Sequence, residues 1–150
     1  LAIDEARPGD VIVIDAGGTP PSVWGECATL SALQKGVAGV IVNGTVRDVA
    51  EIRQHGLPVY CKGICAQAGE PKGFGEIGAP IRISGVLIMQ GDYIVADDDG
   101  VLALPRARAA EMANRGMDCL EAENRIKKEI VSGKSTLGKV QQLLRWEKKG

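Results

Sequence analysis

The chain contains no apolar run approaching the roughly 20 residues of a membrane-spanning helix, and no signal-peptide layout. A soluble, cytoplasmic protein is expected. There is no basic run before the short Lys148-Lys149 tail, and 18 basic residues nearly cancel 19 acidic ones, so sequence-independent nucleic-acid binding has little electrostatic support. Only one histidine is present, His55. It stands just before Gly56, where a cation at a helix C-terminus has a sufficient role, and this argues against a Ser-His-Asp site. The dinucleotide signature GxGxxG is missing. The DAGG at 15 to 18 is followed by Pro20-Pro21, where a helix should begin. Zinc-knuckle spacing is missing too, because three residues rather than two separate Cys61 from Cys65. With Cys27 and Cys119 they are read as reduced, buried, non-catalytic thiols. The chain also lacks an initiator Met and opens LAIDEARPGD, as though inside an element that a preceding segment should continue. An N-terminally shortened domain is the expectation.

What is present is a chain of 150 residues, 45% of them hydrophobic, enough for one domain over 1–150 with a real core. The run Asp10 to Asp15 (DVIVID) reads as a buried strand. Gly25 to Lys35 has helical composition and ends at Gly36, and Val37 to Val42 is the next buried strand. An Asn43-Gly44 pair then suggests a tight turn. Val46 to His55 reads as a short helix closed by Gly56, and Val59 to Cys61 as a third strand. Residues 66–80 hold four glycines and two prolines and read as a surface loop. From Ile81 to Leu104 short strands alternate with hairpin turns at Gln90-Gly91-Asp92 and Asp97-Asp98-Asp99-Gly100. Arg106 to Val131 is a long helix. Thr136 to Trp146 is a short amphipathic one within a helical extension over 134–150, suited to packing on a partner chain. The order βαβα, meander, helices points to an α/β domain with a mixed sheet.

Two attractive motifs fail on context. Ser132-Gly133-Lys134-Ser135-Thr136 resembles the end of a P-loop, yet Lys128 stands where the first glycine is needed and a helix precedes it. Asp97 to Asp99 lacks the alternating ligand spacing of a calcium loop, and Asp-Gly is a usual turn pair.

The chemistry converges instead on Trp24 to Asp48. A helix beginning near Gly25 directs unpaired N–H groups and a positive dipole end at whatever lies before it, a site for a carboxylate. Arg47 offers a planar fork for the same carboxylate. Asp48 is a hard oxygen ligand suited to Mg²⁺ or Mn²⁺, ions that take one or two protein carboxylates and keep their waters. Equally, Asp48 would sit well near the start of a helix, with Arg47 in a surface pair worth under about 1 kcal/mol. Spacing alone leaves both readings open.

At these residues the chain resembles a known family. Glu26, twenty intervening residues and Arg47-Asp48, within GVAGVIVNGTVRDVAEI, is similar to the acidic-X20-Arg-Asp signature of the class II pyruvate aldolases. Those enzymes cleave 4-hydroxy-4-methyl-2-oxoglutarate, and the family also takes in the regulators of ribonuclease activity A. The resemblance extends through PGDVIVID, GVLIMQGDYIVADDDGVLALP and ENRIKKEI. It implies a swivelling β/β/α-type α/β domain with a mixed sheet flanked by helices, plus C-terminal helices. It further implies a lyase that releases pyruvate by retro-aldol cleavage, with oxaloacetate decarboxylation as a second activity through the same enolate. Arg47 would bind the pyruvyl carboxylate and keto oxygen, and Asp48 would ligate the divalent metal. Glu26 would act through metal-bound water, and backbone amides of Gly25, Glu26, Cys27, Ala28 and Thr29 would help hold pyruvate. A metal-associated water would serve as base for the C4 hydroxyl. Two positions depart from the pattern: Glu26 replaces the usual aspartate, and Asn43-Gly44 replaces a frequent Asp-Gly. The alternative that the resemblance carries is a non-catalytic regulator binding a ribonuclease or RNA helicase.

Sites of that family lie between subunits of a homotrimer or homohexamer, with an acidic residue reaching in from a neighbour. Here the candidate is Glu123. At about 100° per residue it falls on the helical stripe of Met112, Gly116, Leu120 and Ile130, whereas Glu121 faces away. Lys127, four residues on, is its competing partner.

Overall fold

A computed structural model describes residues 2–70 and 75–136. The chain divides into two units, Leu1–Arg106 and Ala107–Gly150. In the first, the order is α1 (Ala2–Glu5), β1 (Val11–Asp15), β2 (Ser22–Trp24), α2 (Glu26–Gln34), β3 (Gly39–Val46), α3 (Val49–His55), β4 (Val59–Ile64), β5 (Ile81–Ile83), β6 (Val86–Ile88), β7 (Tyr93–Asp97) and β8 (Gly100–Leu104). The class is α/β, as the order of elements implied.

The centre is a four-stranded sheet in which every pairing is parallel and β3 is the hub. Strand β4 lies along one edge of β3, while β1 and then β2 lie end to end along the other. All eight residues of β3 are buried, which is why GVIV reads as a continuous apolar run rather than an alternating one. Ile12, Val40 and Val42 of the sheet pack with Ala32 of α2 and Ile52 of α3 in the main core. Both helices therefore cover one face. Ile41 is also buried but stands outside that cluster. It belongs to the other face, where it lines a cleft with Val11, Tyr60 and, from β7, Ile94 and Ala96.

Antiparallel pairing occurs too, in two hairpins separate from the central sheet, β5 with β6 and β7 with β8. The turn between β7 and β8 is closed by Asp99 N donating to Asp97 Oδ1 at 2.9 Å, an Asx-type arrangement that uses the carboxylate without a metal.

Several local expectations are corrected. Asn43-Gly44 does not turn the chain; β3 runs straight through it to Val46. The pairing of β3 with β4 shifts register between Val42 and Thr45, and a glycine inside a strand marks such an irregularity as often as a turn. A Cβ on Gly44 would lie 2.9 Å from that of Ala16, so close packing of the loop after β1 accounts for the glycine. The short strand β2 after the prolines was not anticipated; it is held by Ser22, whose hydroxyl donates to the carbonyl of Cys65. The cysteines are free but not buried. Cys27, Cys61 and Cys119 are exposed and Cys65 is half-buried.

The second unit carries a 3-10 turn (Arg106–Arg108, begun at the boundary) and α4 (Ala109–Val131). None of the residues of α4 is buried, and its acidic side chains pair along the helix surface, Glu111 with Arg108 at 3.2 Å and Arg115 at 3.8 Å. The helix expected over Thr136 to Trp146 lies, beyond Thr136, outside the described residues.

The join between β2 and α2 rests on a buried polar pair. Trp24 Nε1 donates to Thr29 Oγ1 at 2.8 Å, and that hydroxyl donates to the Gly25 carbonyl at 3.0 Å. Both residues are almost fully buried. Thr29→Val keeps the shape but strands the indole N–H, and is expected to lower stability by about 1–3 kcal/mol in urea denaturation; a loss under about 0.5 kcal/mol would refute this role.

Candidate functional site

The parallel sheet brings the C-terminal ends of β2 and β3 together, and there the two segments singled out by sequence meet. Arg47 N donates to Trp24 O at 3.0 Å, extending the β2–β3 contact by one step. Gly25 follows Trp24 as the N-cap of α2, and Asp48 follows Arg47 as the N-cap of α3. Gly25 has φ −160°, an extended conformation open to any residue, so its identity is fixed by space. A Cβ there would lie 2.6 Å from Asp48 Oδ2 and 3.1 Å from both Cγ and Cζ of Arg47.

In this gap Asp48 Oδ2 accepts from Glu26 N at 3.0 Å and lies 3.5 Å from Arg47 Nε. A carboxylate thus bridges the start of α2 and the guanidinium. Glu26 is drawn in from the other side, its Oε1 lying 3.0 Å from His55 Nε2. The four side chains are 27–39% exposed, which keeps them reachable from solvent.

The arrangement carries a local cost. Asp48 is held at φ 57°, ψ 43°, a left-handed conformation that costs a non-glycine residue about 1–2 kcal/mol. It forms no side-chain cap for its own helix α3. The Arg47–Asp48 pair, one-third exposed, is worth less than about 1 kcal/mol. The hydrogen bond from Glu26 N at the start of α2 offsets part of this cost, and backbone strain of this kind concentrates at functional sites.

Of the amides expected to hold a ligand, those of Cys27 and Ala28 lie in the first turn of α2, where no intrahelical carbonyl is available to them. Glu26 N is taken by Asp48, and Thr29 N by the Gly25 carbonyl at 3.1 Å. The side chain of Thr29 is likewise committed to Trp24 and Gly25. Glu123 lies on α4 in the second unit, exposed, with Lys127 Nζ 3.7 Å from its Oε2. His55 is the member that sequence reasoning missed. It pairs with a residue 29 positions away, and no local pattern marks a partnership created by the packing of α2 on α3.

As a place for a hard divalent cation, this end of the sheet offers Asp48, at the start of α3, and the Glu26 carboxylate, at the start of α2. Among the described residues no group of three or more His, Cys, Asp or Glu side chains is arranged to hold a metal ion. That donor set suits an ion that keeps most of its waters, the habit of Mg²⁺, and does not suit zinc or calcium.

Residues 1–103 match the model of the RraA-like family, described as Aldolase/RraA. Protein DlpA of Legionella pneumophila is 42% identical over 137 residues, covering 90% of this chain and 22% of that protein. The 4-hydroxy-4-methyl-2-oxoglutarate aldolase of Thermus thermophilus is 38% identical over 110 residues, covering 69% of this chain and 63% of that protein. Less than two thirds of either relative's length is thus spanned. Among solved structures, Streptomyces coelicolor RraAS2, described as an unusual member of the RNase ES inhibitor RraA protein family, superposes with a TM-score of 0.79 at 30% identity. The match covers 85% of this chain and 66% of that one.

The strain at position 48 can be separated from the chemistry of its carboxylate. Asp48→Gly and Asp48→Ala both remove the carboxylate, but only alanine must still bear the left-handed backbone. The glycine variant is expected to be more stable by about 1–2 kcal/mol in urea denaturation; equal stabilities would show that the conformation is unstrained.

Proposed function

The chain belongs to the RraA-like Aldolase/RraA family, and from that premise we propose that it is a divalent-metal-dependent lyase releasing pyruvate from 4-hydroxy-4-methyl-2-oxoglutarate and related 4-hydroxy-2-oxo acids. Oxaloacetate decarboxylation is its second activity. The supporting observation is the strained Asp48 beside Arg47, closed over a glycine that no larger residue could replace without displacing both.

In this reading Arg47 receives the substrate's C1 carboxylate and keto oxygen in its planar fork, which sets the 2-oxo acid against the start of α2. The N–H groups of Cys27 and Ala28 complete the anion cradle. Cleavage removes the proton of the C4 hydroxyl, breaks the C3–C4 bond and leaves its electron pair as the enolate of pyruvate, which a proton at C3 then quenches. Arg47 neutralises the enolate oxygen as charge develops there. Glu26, oriented through Oε1 by His55, carries the proton traffic beside that clamp. Asp48 and Glu26 would hold Mg²⁺ or Mn²⁺, which when bound supplies Lewis-acid stabilisation of the same oxygen. Loss of CO₂ from oxaloacetate leaves the same enolate, so one clamp serves both reactions.

With few carboxylates on one chain, a trimer or hexamer with the site at a subunit interface is the assembly this reading calls for, and Glu123 is the acid offered to a neighbour. The second reading, a regulator of a ribonuclease without catalysis, is favoured by the name of the RraAS2 structure.

Activity separates the two. Wild-type protein is expected to release pyruvate from 4-hydroxy-4-methyl-2-oxoglutarate and from oxaloacetate with Mg²⁺ and to stop with excess EDTA, and Asp48→Asn is expected to lose metal-dependent turnover while assembling normally. An inert, fully assembled wild type would overturn the lyase reading in favour of the regulator. Gly25→Ala is expected to keep the fold and lower kcat/KM about 10²-fold, the scale of loss for a displacement near 1 Å in a catalytic group; unchanged kinetics would show that the clamp is not the site.

A further inference from the structure

One helix holds Glu26 at two points. Asp48, Ile52 and His55 stand at i, i+4 and i+7 along α3, and Ile52 N donates to Asp48 O at 2.9 Å, so the helical repeat already includes the aspartate. The three residues share one stripe about two turns long. Ile52 is buried and joins Ala32 of α2 in the main core, which turns the stripe towards α2. At its start the Asp48 carboxylate accepts from Glu26 N at 3.0 Å, and at its end His55 Nε2 lies 3.0 Å from Glu26 Oε1. A carboxylate only accepts, so the imidazole donates.

Local needs of the helix do not call for the second contact. Gly56, at φ 78°, ends α3, and its N–H donates back to the carbonyls of Ile52 and Arg53. The imidazole is not required to close that end. The side chains of His55 and Glu26 are 27% and 39% exposed, and pairs so open to water add little to folding.

What the two contacts do fix is orientation. A glutamate side chain at an open helix start is free to turn about its χ bonds. Here its backbone is tied to Asp48 and one carboxylate oxygen to His55, which leaves Oε2 as the free oxygen. Reach depends on length. An aspartate at position 26 would be shorter by one carbon–carbon bond, about 1.5 Å, and that takes its oxygens beyond hydrogen-bond range of an imidazole whose helix is anchored by Ile52.

We propose that His55 is a positioning residue of the reaction and α3 the rigid arm that carries it, setting the Glu26 carboxylate at a fixed place relative to that of Asp48 with Oε2 alone turned to the substrate. The inference rests on the lyase function proposed above and adds a length requirement to it. With histidine at position 55, position 26 needs glutamate and not aspartate. Glu26 and His55 then act as one unit, so that losing the contact from either side costs what losing it from both sides costs. Arg47 still binds the 2-oxo acid, and the loss falls on turnover rather than on substrate affinity.

His55 is the only histidine of the chain, so ¹⁵N-histidine labelling of untagged protein gives one imidazole spectrum to read without turnover. Its Nε2 resonance is expected to leave the wild-type position in Glu26→Asp, as in Glu26→Ala. An unmoved resonance in either variant would overturn the proposal. In turnover of 4-hydroxy-4-methyl-2-oxoglutarate with Mg²⁺, His55→Leu should lower kcat about tenfold or more with KM within about threefold, whereas His55→Gln, whose amide donates from a similar place, should keep kcat within about threefold of wild type. Glu26→Asp should match His55→Leu, and the double variant should fall no more than about twofold below Glu26→Asp alone. Equal losses in His55→Gln and His55→Leu, or single losses that multiply in the double variant, would overturn the positioning role. If folded wild type releases no pyruvate, the lyase reading falls, and the imidazole spectrum still decides whether α3 fixes Glu26.

Discussion

Everything at the candidate site depends on how closely the end of β2 approaches the end of β3. The approach is permitted by the absence of a side chain at Gly25, where even a methyl group would sit 2.6 Å from the Asp48 carboxylate. It is held from below by the Trp24–Thr29 pair and by the amide of Arg47 on the Trp24 carbonyl. Because Gly25 also begins α2, the same contact that closes the sheet directs the positive end of a helix at Asp48. A cation, a carboxylate and a helix start share one gap because the ends of β2 and β3 converge on it.

The cost of that convergence argues for its purpose. A left-handed aspartate is strained and a partly exposed ion pair returns little, and a glycine at position 48 would relieve the backbone while giving up the bond from Glu26 N. What aspartate supplies in the function proposed above is an oxygen ligand beside a guanidinium, suited to stabilising the enolate of a 2-oxo acid. The hub strand β3 leads directly towards Arg47 and Asp48, so that a buried, rigid element sets their position.

Much of the fold could be read in advance. The apolar runs at Asp10 to Asp15 and Val37 to Val42 announced buried parallel strands, Gly36 and Gly56 marked the ends of α2 and α3, and Asp97 to Gly100 was recognisable as a turn. The pair Arg47-Asp48 was also legible, since its spacing from Glu26 is a linear property of the chain. The errors share a cause. Asn43-Gly44 has the chemistry of a turn, yet β1 and β4 on either side of β3 keep it extended, and tertiary pairing outweighs a dipeptide's preference. The cysteines have the composition of core residues, but three of them fall on outward-facing positions, which hydropathy alone does not specify.

Sequence by itself determined which groups are available: the residue types, the order of strand and helix, and the places where only glycine has room to turn. Only the tertiary structure decided which of them meet. His55 finds Glu26 because α3 packs on α2. Lys62 comes beside Asn43 because β4 joins β3 in one register rather than the next, and a slip of one residue would have sent that lysine to the opposite face. Asp48 takes its left-handed backbone where β3 gives way to α3, and there its carboxylate meets the first amide of α2. Partnerships of this kind join residues distant in the chain through packing and register, and neither quantity is written in a linear sequence.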